Sequence, residues 1–216
     1  MVIDEMPNSP KIETSAAIRT SASEVLQADL YRYRGRTGAR AFLTAYLRNP
    51  GFRFTYYLRQ VAFYGSRKWS LWICAYIFHR VLYHHYRFRY GFDISPTTSI
   101  GPGLYIGHFG GVVISPYAIL GSNINIAQGV TIGASSRGRL TGAPTLEDRV
   151  WVGANAIIVG KITVGHDALI APGAYVNFDV PPMAVVLGNP GKVVSSAGSI
   201  GYVNNTLEFR ERELQP

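Results

Sequence analysis

The second half of the sequence repeats an aliphatic side chain at every sixth residue. Neither an α-helix, which repeats after 3.6 residues, nor a single strand, which repeats after two, has this period. The pattern predicts short strands joined by tight turns and wound into a parallel β-helix with triangular coils, whose aliphatic side chains point inward. The thirteen repeat positions make a little over four coils: Ile94, Ile100, Ile106, Ile114, Leu120, Ile126, Ile132, Leu146, Val152, Ile158, Val164, Ile170 and Val176.

The repeat changes phase at two places, each time by two residues. The first change follows Ile106 and predicts a bulge at residues 107–111. The second follows Ile132 and predicts a loop at about 134–145. Insertions in a regular solenoid commonly carry its binding face, so these two segments are the first candidates for a functional site.

Apolar side chains in residues 25–90 recur instead at mixed spacings of three and four, which predicts amphipathic helices. Asn49–Pro50 and Gly65–Ser66 mark breaks between them, so we expect about three short helices. The spacing is carried by Phe42, Tyr46, Phe54, Tyr57, Leu58 and Val61.

These patterns divide the chain into four parts. Residues 1–24 are polar and predict a flexible tail. Residues 25–90 form a basic, aromatic helical region, residues 91–195 the β-helix domain, and residues 196–216 a C-terminal tail. Flat faces of such β-helices usually pair with copies of themselves, which predicts a homotrimer.

The net charge of +8 is a property of one segment, residues 31–90, which holds 12 of the 21 Lys and Arg residues, 18 of the 27 aromatic residues and no acid. No nucleic-acid motif accompanies this charge, so we expect no nucleic-acid partner. Two interpretations stay open. The segment is either a helical cap that packs and oligomerises, with its arginines reaching outward, or a peripheral contact with an anionic membrane face.

The composition of the chain excludes several further classes of protein. A hydrophobic content of 47% with 16% charged residues excludes disorder for most of the chain. The single cysteine, Cys74, excludes an intrachain disulfide and a cysteine-based zinc cluster, and we expect it to be a buried helix residue. Residues 1–24 lack the apolar core of a secretory signal, and the longest apolar run, Trp69–Phe78, is too short for a bilayer span. We therefore expect a cytoplasmic protein.

Seven short motifs stand out from the repeat: Phe92-Asp93-Ile94-Ser95-Pro96, Ile106-Gly107-His108, Gln128-Gly129-Val130-Thr131-Ile132-Gly133, Pro144-Thr145-Leu146, Trp151-Val152-Gly153-Ala154, Val180-Pro181-Pro182 and Gly188-Asn189-Pro190-Gly191-Lys192. They resemble the hexapeptide-repeat acetyltransferases, specifically the serine acetyltransferase-like branch, over roughly residues 50–195. The resemblance implies a mainly β protein, a left-handed parallel β-helix preceded by a small α-helical region. It also implies acetyl-CoA as co-substrate, with no permanently bound cofactor.

The branch's catalytic pair is a histidine backed by an aspartate 15 residues earlier, a spacing that His108 and Asp93 share. A hydroxyl acceptor needs a base as it attacks the thioester carbonyl, and imidazole, with an ordinary pKa of about 6.5, suits neutral pH. A carboxylate on the other ring nitrogen fixes the tautomer and stabilises the imidazolium. The resemblance thus implies direct transfer, with no acetyl-enzyme.

The resemblance also implies residues that bind acetyl-CoA: the positions that match the family's motifs are Gly133, Ala154, Pro172 and Lys192. Lys192 would meet a CoA phosphate as a point charge. For each of the glycine and alanine positions, a crowded corner explains the small residue equally well.

Three positions depart from serine acetyltransferases. Where these have an Arg-His pair, this chain has Gly142 and Ala143, and where they have Asp before the catalytic histidine it has Gly107. The missing groups predict an acceptor with neither ammonium nor carboxylate. The 134–145 loop also resembles that of exopolysaccharide and capsule O-acetyltransferases.

We therefore expect an O-acetyltransferase acting on a sugar hydroxyl in surface polysaccharide biosynthesis. Arg137 and Arg139 either bind a diphosphate on a nucleotide- or lipid-linked sugar or belong to a solvated loop. The alternatives are a serine O-acetyltransferase of cysteine biosynthesis and a non-catalytic β-helical scaffold. No metal site is expected, because only His108 and His166 lie in the β-helix and they are in distant coils.

Overall fold

The structure is a computed structural model that describes residues 21–67 and 69–207, without the side chains of residues 69–71. Within these residues the helical region holds four helices rather than the three expected, because Gly35 and Gly38, with φ values of 61° and 100°, divide the stretch before Asn49 into two. The helices are α1 (Ala22–Arg34), α2 (Ala39–Arg48), α3 (Pro50–Gly65) and α4 (Trp69–Tyr90).

Local chemistry sets the helix ends. Ser21 caps α1 by accepting the Glu24 backbone N–H, while the Glu24 side chain accepts the Ser21 N–H. Gly35 ends α1 in the left-handed conformation. Pro50 begins α3 at the one helical position where its missing N–H costs nothing. The flexible tail expected over 1–24 lies mostly outside the described residues, and its last three residues belong to α1.

Fifteen short strands follow the helices in the part of the chain that the structure describes: β1 (Phe92–Ile94), β2 (Ser99–Ile100), β3 (Tyr105–Ile106), β4 (Val112–Ile114), β5 (Ile119–Leu120), β6 (Asn125–Ile126), β7 (Thr131–Gly133), β8 (Thr145–Leu146), β9 (Trp151–Val152), β10 (Ile157–Val159), β11 (Thr163–Val164), β12 (Leu169–Ile170), β13 (Tyr175–Val176), β14 (Val185–Leu187) and β15 (Lys192–Ser195).

The strands form three sheets, one for each side of a triangular prism. Sheet A has the order β1-β4-β7-β10-β13, sheet B β2-β5-β8-β11, and sheet C β3-β6-β9-β12-β14-β15. All neighbours are parallel except β14 and β15. The expected fold class, a mainly β parallel β-helix preceded by a small helical region, is confirmed.

The core consists of aliphatic stacks along the prism. In sheet A, Ile94, Ile114, Ile132, Ile158 and Val176 lie in register on successive coils. Every repeat position is buried except Ile100, which is half-buried. Each coil therefore hides its apolar side chains only by stacking on its neighbours, as a solenoid requires.

The second insertion is longer than the phase change indicates. Ile132 and Leu146 occupy successive sides of the prism although fourteen residues separate them, eight more than one hexapeptide. An insertion of eight changes the phase of a six-residue repeat as an insertion of two does. The extra residues form a hairpin in which Ser135 and Gly142 exchange backbone hydrogen bonds of 2.8 and 2.9 Å.

The described part of the C-terminal tail, up to Leu207, is packed rather than loose. The Ser199 N–H donates to the Asp167 carbonyl at 2.7 Å, and the Tyr202 ring lies 5.0 Å from that of Trp151. Arg32 of α1 donates to the carbonyl of Asn204. Together α1 and residues 199–207 cover the outer face of sheet C, where Asn125 is buried.

α4 is exposed along one side, and Cys74 is exposed there rather than buried as expected. Among the described helices, none is both long enough and apolar enough to cross a membrane.

Gly51 sets how closely α3 approaches the first coil. A Cβ at this position would lie 2.1 Å from the Ile106 carbonyl oxygen and 2.9 Å from the Tyr33 hydroxyl. We expect Gly51→Ala to lower the free energy of unfolding by about 1–3 kcal/mol, because the backbone carbonyl cannot move aside cheaply. Denaturant titration measures this.

Gly65→Ala is the matched control in the same helix. Its Cβ would make an ordinary 3.4 Å contact with Tyr76, and alanine is the better helix former. This variant should be as stable as the wild type or more so. Equal losses in the two variants would contradict the steric argument.

Candidate active site

The bulge that carries His108 lies between β3 and β4, where the chain passes from sheet C to sheet A. Gly110 and Gly111 adopt positive φ values of 111° and 66°, which let the chain turn outward. The Gly110 N–H donates to the Tyr90 carbonyl at 2.9 Å, and the Val112 N–H to the Gly91 carbonyl at 3.1 Å. These bonds fix the bulge directly beside the start of β1, and His108 is exposed on it.

Asp93 lies in the middle of β1, between the buried Phe92 and Ile94, so its side chain points out of sheet A. Its Oδ1 accepts a charge-assisted hydrogen bond from Nη2 of Arg87, at the end of α4. In the described chain no hydrogen bond joins Asp93 to His108. The structure thus holds the bulge that carries His108 beside β1, the strand that carries Asp93, but the contact that Asp93 makes is with Arg87.

Arg87 is a site residue that sequence analysis missed. It precedes the Phe92–Pro96 motif by a few residues and lies in a segment rich in arginine, so nothing in the pattern distinguished it. The ion pair leaves Oδ2 of Asp93 available, since a carboxylate can accept bonds at both oxygens.

The hairpin after β7 walls a groove of about 310 Å³, lined by Ser135, Arg137, Arg139, Leu140, Val159, Gly160, Tyr175 and Asn177. Gly133 lies beside this groove, because it pairs with Val159 across sheet A, and a Cβ on Gly133 would be 3.2 Å from Val159 Cγ1. The structure therefore brings Gly133 together with Arg137 and Arg139.

Ala154 and Pro172 lie on neighbouring coils at the corner between sheets C and A. The Gly173 N–H donates to the Ala154 carbonyl at 2.8 Å, and a Cβ on Gly153 would be 2.6 Å from the Pro172 nitrogen. Lys192 is exposed on β15, opposite Leu187 at the last edge of sheet C. Within one described chain, no hydrogen bond links these residues to His108 or Asp93.

A second histidine–aspartate pair occupies another corner of the prism. Nδ1 of His166 lies 2.8 Å from Oδ2 of Asp167, and Arg149 donates to both Asp167 oxygens at 2.6 and 2.7 Å. The Arg149 guanidinium, helped by His166, holds the pKa of the Asp167 carboxyl below its ordinary value of 3.8. His166 is half-exposed, as expected for a corner residue. Among the described residues, no group of three or more His, Cys, Asp or Glu side chains is placed to hold a metal ion.

The contacts of Asp167 at this corner predict that the stability of the fold depends on pH. Because the folded pKa of Asp167 is depressed, its ionised form stabilises the fold above the unfolded value, and the contribution is lost as pH falls through the folded pKa. We expect Asp167→Asn to lower Tm at pH 7 by about 1–3 °C, the effect of a partly exposed bidentate pair. Thermal unfolding should show the two proteins converging below about pH 4, whereas a constant difference from pH 7 to pH 3 would contradict this cause.

Comparison with known proteins places this geometry in a class. No family model matches the sequence. The chain is 38% identical over 120 residues to serine acetyltransferase of Helicobacter pylori, which is 56% of this chain and 70% of that protein. It is 39% identical over 112 residues to serine acetyltransferase of Bacillus licheniformis, 52% of each chain. The chain thus spans about half the length of several curated relatives that it matches.

The solved structures that resemble this chain are serine acetyltransferases as well. Neisseria gonorrhoeae serine acetyltransferase in complex with serine superimposes with a TM-score of 0.64 at 33% identity, covering 81% of this chain and 69% of that one. Brucella abortus serine acetyltransferase in complex with coenzyme A gives 0.67 at 27% identity, covering 82% and 68%. The fold is therefore that of the left-handed, hexapeptide-repeat β-helix acetyltransferases. Within that class, the chain belongs to the serine acetyltransferase family.

The expected polysaccharide O-acetyltransferase is wrong, because both the sequence relatives and the structural neighbours are serine acetyltransferases. That expectation relied on loop positions such as Gly142. Gly142 has a φ of 131°, and a Cβ there would lie 3.0 Å from Cβ of Lys161. The shape of the hairpin thus explains why glycine stands at position 142, whereas the other two departures, Gly107 and Ala143, adopt no such conformation.

Proposed function

We propose that this protein is an acetyl-CoA-dependent serine O-acetyltransferase, which moves the acetyl group of acetyl-CoA to the hydroxyl of L-serine in the cytoplasm. The observation that carries the proposal is the match to serine acetyltransferase structures over about four fifths of the chain, including one solved in complex with serine and one with coenzyme A. The bulge that carries His108 supports it, because it is held beside β1, the strand that carries Asp93, so that a base and its partner would lie at one edge of sheet A.

In the proposed reaction, His108 takes the proton of the serine hydroxyl as its oxygen attacks the thioester carbonyl carbon. Asp93 stabilises the imidazolium that forms. Collapse of the tetrahedral intermediate breaks the carbon–sulfur bond, and the CoA thiolate recovers the proton from His108. Acetyl-CoA and serine thus become CoA and O-acetylserine, with no resident cofactor and no acetyl-enzyme.

The residues that bind acetyl-CoA are assigned by the same proposal. Ala154 and Pro172 leave the backbone at their corner open to the pantetheine, and Gly133 does so beside the groove. Lys192 meets a phosphate. Arg137 and Arg139 give the groove its positive charge and bind anionic groups of the substrates; the sugar diphosphate is no longer their ligand.

We further propose that the site forms between protomers of a homotrimer. In one chain the acetyl-CoA residues and His108 have no shared contacts, so a neighbouring copy would bring them together. Sheet A is open for this contact: Val113 and Ile157 expose 42% and 37% of their surface on it, whereas α1 and residues 199–207 cover sheet C.

The test is serine-dependent release of CoA. Purified protein with acetyl-CoA should release free thiol many times faster with L-serine than without it, as measured with a thiol-reactive chromophore. D-serine is the control for stereospecific binding. Equal rates with and without L-serine would overturn the proposal, and a protein that also fails to bind CoA would be a scaffold.

A further inference from the structure

One face of α4 is apolar and exposed. Ile77, Phe78, Val81 and Phe88 expose 53%, 59%, 61% and 75% of their surface, and Cys74 is exposed with them. At 100° per residue, these five side chains lie within about 60° of Val81 around the helix axis. His84 and the exposed His85 lie in the same arc. We call the five apolar side chains the apolar face of α4. Four large exposed apolar side chains on one helix face exceed the scattered exposure that is normal for a surface.

The opposite side of α4 packs against α3 and the β-helix. Tyr83 and Tyr90 are buried, Tyr86 stacks on Tyr57 of α3, and the Tyr83 hydroxyl donates to the Ile94 carbonyl at 2.6 Å. The helix is therefore held on the prism by its aromatic side. Its apolar face points away from both α3 and the β-helix, and nothing in the described chain covers it.

The surroundings of this face are basic. Arg80 and Arg89 lie on α4 at its two edges, and the whole of residues 31–90 contains no acid. Four further exposed arginines, Arg40 and Arg48 on α2 and Arg36 and Arg67 in the connections after α1 and α3, make no ion pair with any residue that the structure describes. The helical region therefore carries positive charge that the described part of the chain does not neutralise.

We propose that the apolar face of α4 lies on an anionic lipid surface, independently of the proposed acetyl transfer. A helix with an apolar side bordered by arginines, lying parallel to the bilayer, buries its apolar side chains at the acyl boundary while the arginines meet lipid phosphates. A second copy of this chain fits less well, because a two-fold contact here would bring two acid-free, arginine-rich surfaces together.

Flotation of the full-length protein tests this. With vesicles of equimolar phosphatidylcholine and phosphatidylglycerol the wild type should float, and with pure phosphatidylcholine it should not. Ile77→Glu/Val81→Glu should weaken binding at least about tenfold, because it places two carboxylates on the inserted face. The matched control is Tyr117→Glu/Ile200→Glu, which changes two equally exposed apolar residues, at 62% and 73%, on the β-helix side and should bind as the wild type does.

Cys74, the single cysteine, provides a direct readout on the same face. An environment-sensitive fluorophore attached to it should shift to shorter emission wavelengths with the anionic vesicles, and about 1 M salt should reduce the shift by screening.

Three results would overturn the proposal: no flotation of the wild type, equal binding by the α4 double variant, or a smaller assembly mass for that variant alone. The last would show that the face joins two copies. Serine-dependent CoA release by the α4 double variant should equal that of the wild type, which separates failure here from failure of the proposed reaction.

Discussion

Replacing His108 by alanine should lower kcat/KM for serine acetylation by about 10²–10⁴-fold, the usual contribution of a positioned general base. The serine hydroxyl would then have to lose its proton to water as it attacks. The backbone of the bulge should not change, because the bonds that hold it are those of Gly110 and Val112 to Tyr90 and Gly91. Steady-state kinetics of CoA release measure the loss, and Tm should stay within about 2 °C, as for an exposed side chain.

His166→Ala is the matched control. His166 is the other histidine of the prism; it is half-exposed and lies 2.8 Å from an Asp167 oxygen, yet the proposal gives it no part in the reaction. Its variant should keep kcat/KM within about twofold, since a surface change away from the site is nearly neutral. Comparable losses in the two variants, or full activity in His108→Ala, would remove the catalytic assignment.

Replacing Asp29 by alanine should have the largest effect on stability. The Asp29 carboxylate is fully buried and accepts hydrogen bonds from Arg59 Nε at 2.9 Å, from the Gly103 N–H at 2.9 Å and from the Leu104 N–H at 2.8 Å. It ties α1, α3 and the turn before β3 together. Removing it leaves two backbone donors without their acceptor. The largely buried Arg59 guanidinium keeps the Ile100 and Gly101 carbonyls but loses its negative partner, and together these losses cost about 3–5 kcal/mol.

Chemical denaturation should measure that loss, with Tm lowered by about 10 °C in a chain of this size. Asp148→Ala is the control, because Asp148 is an exposed carboxylate that accepts a backbone bond from Ser122 at 2.6 Å, and its loss should cost about 1 kcal/mol. If Asp29→Ala cost no more than Asp148→Ala, the carboxylate would not be what holds the helices on the prism.

The period of six in the sequence was enough to predict the prism and the stacks in its core. The repeat could not give the length of the second insertion, which holds the hairpin at residues 134–143. An insertion of eight residues shifts a six-residue repeat by the same two positions as an insertion of two. The repeat also could not place Asp29 or Arg59. Both are lone polar residues in helices, and their partners, the Gly103 and Leu104 amides, are some 75 residues away from Asp29.

The candidate site was predictable in part. The spacing predicted that the bulge with His108 lies beside the strand with Asp93, because a bulge and a coil of the prism have fixed positions. Arg87 was missed because its contact with Asp93 depends on where α4 ends, not on any motif. The acceptor was mispredicted because the departures at Gly107, Gly142 and Ala143 were interpreted as lost contacts with the substrate; at Gly142 the φ of 131° is a requirement of the backbone.

The central claim is that this chain esterifies the hydroxyl of serine. The most direct measurement is ¹³C NMR of the products formed from acetyl-CoA labelled in its acetyl group, with L-serine and either the wild type or His108→Ala. The expected result is O-acetylserine formed by the wild type in equal amount to the CoA released, with almost none formed by the variant. Label that remains in acetyl-CoA, or appears only as acetate, would contradict the claim.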